Sequence, residues 1–76
     1  MSPPQTHAAR HDGLNAHLLD AVPPEALRLL DVGCGAGQLG AALKAQDGRR
    51  VVLGVEPDGP AAARAARVLD RVFAVD

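Results

Sequence analysis

Three glycines at alternate positions, Gly33, Gly35 and Gly37, follow a short apolar run that carries a single carboxylate, Asp31. Glycine tolerates positive φ and has no Cβ, so such a turn lets a ligand lie directly against the backbone at the start of a helix. Glu56 stands 19 residues beyond Gly37, at the end of a second apolar run. An acid at that distance can accept hydrogen bonds from both hydroxyls of a ribose, which an amide or a hydroxyl side chain does less strongly. Asp76 closes a third apolar run. The chemistry these positions suit is the holding of an adenosyl-type ligand, and no residue stands out as a general base.

The glycines alone leave two ligand classes open. Gly35, Gly37 and Gly40 also satisfy the dinucleotide pattern G-x-G-x-x-G with an acid about 20 residues later, which keeps an NAD(P)-binding oxidoreductase module as an alternative. Asp31 discriminates between them. A carboxylate at the end of an apolar strand needs a donor or a cation, because burying it unpaired is costly. A dinucleotide brings a negative pyrophosphate to this turn, whereas S-adenosylmethionine brings an ammonium and a sulfonium. Asp31 therefore favours the sulfonium cofactor.

The remaining chemistry-bearing residues have plainer readings. Cys34 has no histidine near it in the expected fold and occupies a tight position in the glycine turn, so it reads as packing rather than as a nucleophile. His7 and His11 are four apart on a helical segment, but no third metal ligand is evident, and His17 falls on another face. Asp12, Asp20, Asp47 and Asp70 are spaced as surface or capping residues, and Asp58 suits the cap of a helix. Arg64 and Arg67 share a helix face expected to meet solvent. Arg49-Arg50, the longest basic run, reads as a solvated strand entrance.

The elements that must position Asp31, the glycines and Glu56 follow from periodicity. Residues 1–6 are polar and carry Pro3 and Pro4, and are expected to be disordered. From His7 to Ala21, Leu14, Leu18 and Leu19 recur at helical spacing toward Val22, and Pro23-Pro24 stops the helix. Residues 27–32 form a short apolar run, read as a buried parallel strand. A helix of about ten residues follows the glycines, with Gly48 placed for a left-handed C-terminal cap. Val51–Val55 is the second strand, and Pro60 suits the first turn of a helix over Ala61 to Leu69. Residues 71–75 return to strand composition. This alternation predicts an α/β fold, a Rossmann-like β-α-β-α-β unit with parallel strands and a leading helix, over residues 7–76.

Composition narrows the setting. The chain has 76 residues, 47% of them apolar, and a net charge of −1. Fifteen residues are alanine and Phe73 is the only aromatic, so the single core this length allows is made of small groups. The near-neutral charge offers no footprint for nucleic acid. One cysteine permits no intrachain disulfide, and no stretch approaches a membrane span, so a cytoplasmic setting without membrane or metal is expected.

Leu30-Asp31-Val32-Gly33-Cys34-Gly35-Ala36-Gly37 closely resembles motif I of class I S-adenosylmethionine-dependent methyltransferases. Val52-Leu53-Gly54-Val55-Glu56-Pro57-Asp58 resembles the strand-two motif of that family at its expected distance. The resemblance covers about residues 27 to 76, with a looser likeness in the leading helix. It implies S-adenosylmethionine as cofactor, held by Asp31 near the methionine ammonium and by Gly33, Cys34, Gly35 and Gly37 around the methionyl and ribose portion. By the same resemblance Glu56 takes the ribose hydroxyls, Pro57 flanks the adenine and Asp76 contacts its exocyclic amine.

Such methyltransferases have a seven-stranded sheet in which strand one is central, so this chain corresponds to an incomplete sheet without the acceptor site. The expectation is a truncated product, a fragment, or a protein that relies on a partner, with self-association through the exposed strand-one edge as one route. The methyl acceptor is unassigned, a small molecule being favoured only by the lack of a basic surface. A non-catalytic remnant of a methyltransferase is the further alternative.

Overall fold

A computed structural model describes residues 16–75. The order of elements is α1 (Ala16–Ala21), β1 (Arg28–Val32), α2 (Gln38–Gln46), β2 (Val51–Val55), α3 (Gly59–Ala65) and β3 (Arg71–Phe73). The strands form one parallel sheet in the order β1-β2-β3. This is the expected Rossmann-like arrangement, with β1 at an edge. The leading helix is described only from Ala16, and the earlier part expected from His7 lies outside the described residues, as do residues 1–6.

Strand alternation assigns the faces. The register aligns Leu29 with Val52 and Asp31 with Gly54 across β1 and β2, and Gly54 with Val72 across β2 and β3. Val52, fully buried, joins Cys34, Ala65 and Leu69 in the core cluster, with Leu29 and Val72 packed against it. Both helices reach this face. A Cβ on Gly40 of α2 would stand 2.9 Å from Val52 Cγ1, and Ala65 of α3 belongs to the same cluster. Among the described residues no helix packs on the opposite face, where Leu30 is 63% and Val32 74% exposed. The expectation of a buried β1 is therefore corrected: only one of its faces is covered, because no described helix packs on the other.

Close approach of backbone explains two glycines. A Cβ at Gly40 would strike Leu69, and one at Gly54 would stand 2.6 Å from Cys34 Sγ. The cysteine thus fills the space that Gly54 leaves empty, and the helix can sit tight on the strand. The core remains small. Its buried apolar members among the described residues are Cys34, Leu43, Val52, Ala62, Ala65 and Leu69, half of them no larger than cysteine.

Polar contacts tie the ends of the elements together. Lys44 donates from Nζ to the Arg50 carbonyl at 2.8 Å and to Asp70 Oδ2 at 2.7 Å, and that same oxygen accepts from the Val52 amide at 2.7 Å. Asp70 therefore joins the starts of β2 and β3, where a surface or capping role was expected. Arg50 overturns its reading more completely. It is 3% exposed and donates from Nε to Ala26 O, from Nη1 to Leu43 O and Gln46 Oε1, and from Nη2 to Pro23 O. A planar guanidinium suits this many carbonyls, which close the C-terminal turn of α2 and fasten the α1–β1 linker to it.

Three boundaries differ from the sequence expectation. Gly48 has no left-handed φ; α2 instead ends at an extended Asp47, whose side chain accepts from the Arg49 amide at 3.0 Å and pairs with its guanidinium at 2.8 Å. That local turn takes over the helix end. The helix expected over 61–69 is α3, Gly59–Ala65, because Asp58 caps it by accepting from Ala61 N at 3.0 Å and a tight turn over 66–68 follows. Strand β3 spans only Arg71–Phe73 of the expected 71–75.

Candidate functional site

Parallel strands deliver their C-terminal ends to one rim of the sheet, where Asp31, the glycine turn and Glu56 meet. Asp31 is the penultimate residue of β1, the glycine turn follows directly, and Glu56 is the first residue after β2. The turn is anchored on the neighbouring strand: the Gly33 and Cys34 amides both donate to Val55 O, at 2.7 and 3.1 Å. Glu56 itself is anchored on β3 by its amide, which donates to Phe73 O at 3.0 Å.

The glycines divide into two kinds. Gly33, Gly35 and Gly37 all take positive φ, at 75°, 57° and 90°. A Cβ on Gly33 or Gly35 would meet nothing within 4 Å, so their missing side chains leave open space at the rim. A Cβ on Gly37 would stand 2.8 Å from Val68 Cγ2 and 3.1 Å from Ala65 Cα, so there the missing side chain serves the packing of α3 against the turn. Gly37 is also the N-cap of α2, and no side chain caps it, so the first amides of the helix stay turned toward the rim without a carboxylate of their own.

The two acids differ in how they are satisfied. Glu56 accepts from the Gly35 amide at Oε1, 2.8 Å, and from the Asp58 amide at Oε2, 3.0 Å. Sequence reasoning placed Glu56 but missed this second link, although an acid two residues before an amide in a Pro-containing turn is its ordinary signal. Asp31 has no hydrogen-bond partner among the described residues, and burial raises its carboxyl above the usual range. Cys34, between them, has its thiol pushed up first by burial and then by the charges of Asp31 and Glu56. A thiol so placed stays protonated and packs, as its contact with Gly54 requires.

Pro57 is exposed beside Glu56. Asp76, His7 and His11 lie outside the described residues. Arg64 and Arg67 are exposed on and after α3, and among the described residues no group of three His, Cys, Asp or Glu gathers to hold a metal. No described helix is long and apolar enough to cross a membrane.

A parallel β-α-β-α-β sheet with a positive-φ glycine turn and an acid on adjacent strand ends defines a Rossmann-like unit. More particularly, the chain belongs to the methyltransferase small domain family, whose model matches residues 7–72. No curated protein matches it in sequence.

Among solved structures it is similar to a TehB-like S-adenosylmethionine-dependent methyltransferase from Corynebacterium glutamicum, with a TM-score of 0.60 and 27% identity over 96% of this chain and 41% of that one. The sugar N-methyltransferase KedS8 from a Streptoalloteichus species matches with a TM-score of 0.62 and 26% identity over 100% of this chain and 33% of that one. The plantazolicin methyltransferase BpumL, solved with S-adenosylhomocysteine and a pentazolic desmethylPZN analogue, shares the fold at a TM-score of 0.69 and 16% identity, over 95% of this chain and 33% of that one. The chain thus spans well under half the length of these structures.

Proposed function

We propose that this chain is the S-adenosylmethionine-binding half of a methyltransferase. The observation that carries the reading is Asp31: a partly buried carboxylate without a hydrogen-bond partner among the described residues, beside two glycines whose missing Cβ atoms leave open space. A cationic ligand supplies what that carboxylate lacks, whereas a pyrophosphate would be repelled by it. Family membership and the methyltransferases among the similar structures support the same reading.

The residues present fit the group. Asp31 would face the ammonium, Gly33 and Gly35 would let the ligand approach the backbone, Glu56 would accept from the ribose hydroxyls through lone pairs that Gly35 and Asp58 do not use, and Pro57 would flank the base. Asp76 is assigned to the adenine amine by the motif alone. When bound, S-adenosylmethionine supplies an electrophilic methyl group on a sulfonium. The protein's part is to orient the ligand and hold its charge, so that an acceptor meets the methyl in line. No described side chain is placed as a general base. The acceptor is a small molecule in this proposal, chosen by segments that the longer relatives carry and this chain does not span.

Calorimetric titration with S-adenosylhomocysteine and with NAD, on the native chain and on Asp31→Ala and Glu56→Ala, tests the assignment. Binding of the first ligand alone, weakened in both variants, is expected. Binding of NAD in preference would overturn it in favour of a dinucleotide module.

A further inference from the structure

A glutamate side chain is flexible, and holding it in one place for a ligand costs conformational entropy. In Glu56 the protein itself removes that freedom, because each carboxylate oxygen accepts one backbone amide, Oε1 from Gly35 at 2.8 Å and Oε2 from Asp58 at 3.0 Å. A carboxylate offers about four lone-pair sites. With two of them taken, those that remain match the two hydroxyl donors of a ribose.

The two amides are held by different means. That of Gly35 belongs to the glycine turn, which is anchored on β2. That of Asp58 comes from only two residues along the chain, so its direction depends on what fixes the turn over 56–58. Pro57 restricts one backbone angle there. Asp58 is then clamped at both its side chain and its carbonyl: Oδ2 accepts from the Ala61 amide at 3.0 Å, and the carbonyl from the Ala62 amide at 2.8 Å. Both donors stand in the first turn of α3, and Ala62 and Ala65 seat that helix in the core. A line of contacts therefore runs from the buried side of α3 through Asp58 to the second oxygen of Glu56. We propose that Asp58 is a positioning residue for the ribose: its side chain, engaged with the helix start, holds in place the amide that aligns the Glu56 carboxylate. This role rests on the cofactor reading above and adds to it a residue that acts through Glu56.

Calorimetric titration of the full chain with S-adenosylhomocysteine and with its 2′,3′-dideoxy analogue tests the role, with circular dichroism to confirm folding. Asp58→Ala should weaken S-adenosylhomocysteine by about fivefold, the order of a lost helix cap, and leave the dideoxy analogue unchanged. Asn and Ser cap helices about as well as Asp, so Asp58→Asn and Asp58→Ser should bind within about twofold of the native chain. The double variant Asp58→Ala/Glu56→Gln should bind no more weakly than Glu56→Gln, because the two residues act as one. Asp58→Gly, milder at a helix start, gives the same comparison where Asp58→Ala does not fold. Equal weakening of both ligands, an Asp58→Asn variant as weak as Asp58→Ala, or additive losses in the double variant would each overturn the role while leaving the cofactor reading intact. A native chain that binds no S-adenosylhomocysteine would overturn both.

Discussion

The backbone amide of Gly35 donates to Oε1 of Glu56 across 2.8 Å, so the turn after β1 and the acid after β2 are one hydrogen-bonded unit. The second carboxylate oxygen takes the Asp58 amide, and Asp58 in turn caps α3. Loop, acid and helix start are therefore set before any ligand arrives.

Glu56→Gln retains an acceptor toward only one of these amides and removes the charge. It should weaken S-adenosylhomocysteine by about 2 kcal/mol, some thirtyfold, within the range for hydrogen bonds to a charged group. Calorimetry measures the affinity, and faster exchange of the Gly35 amide would report the loosened loop. An unchanged affinity would remove Glu56 from the site.

Asp31→Asn separates stability from binding. Burial raises the Asp31 carboxyl, so the folded state holds its proton more tightly than the unfolded state. Its effect on stability is therefore most favourable at low pH and declines as pH rises through the interval from the ordinary carboxylate value, about 3.9, up to the raised one. Asn abolishes that decline. The variant should melt no lower than the native chain at neutral pH while binding the ligand about 1 kcal/mol more weakly, the value of a partly screened ion pair. Thermal melts and titration read the two effects separately.

Gly33→Ala and Gly37→Ala should differ. Both impose a left-handed conformation on an L-residue, at about 1 to 2 kcal/mol. Gly33 has open space for the new methyl, whereas at Gly37 it would meet Val68 and the Ala65 backbone. Urea unfolding should therefore show the larger loss at Gly37, by a further 1 kcal/mol or about that, as for an overpacked core. Gly33→Ala should instead lose ligand affinity beyond its loss of stability.

Acid stability rests on the other end of the sheet. The Lys44 ammonium, with help from the Val52 amide, lowers the Asp70 carboxyl, and Arg49 holds Asp47 down at about 2. These depressed groups stabilise the fold above the ordinary carboxylate value and lose that contribution as pH falls from about 4 toward 2, the reverse of Asp31. Melts across that interval should show Asp70→Asn with a flatter acid limb and a lower plateau at pH 7.

Much of this was readable from residue order. Val51–Val55 was bounded correctly because β-branched residues end at a Glu-Pro break, and Asp31, the glycines and Glu56 met because parallel strands must present their ends together. Arg50 was not readable: its burial depends on carbonyls contributed by Pro23, Ala26 and Leu43, none of which announces itself in sequence. Gly48 was misjudged because Asp47 and Arg49 complete a local turn first. That no described helix covers one face of β1 was hidden because an apolar run looks the same whether one side or both are covered.

The buried guanidinium of Arg50 gives the molecule two poles. At one, four acceptors on the linker, α2 and Gln46 converge on a single cation, and any change of its side chain must disturb them together. At the other, Gly33 and Gly35 face open space. Substitutions can therefore accumulate at the pole proposed to hold the ligand while the architecture is guarded from the far end. A library that varies the rim and leaves Arg50 untouched should stay folded far more often than one that does the converse.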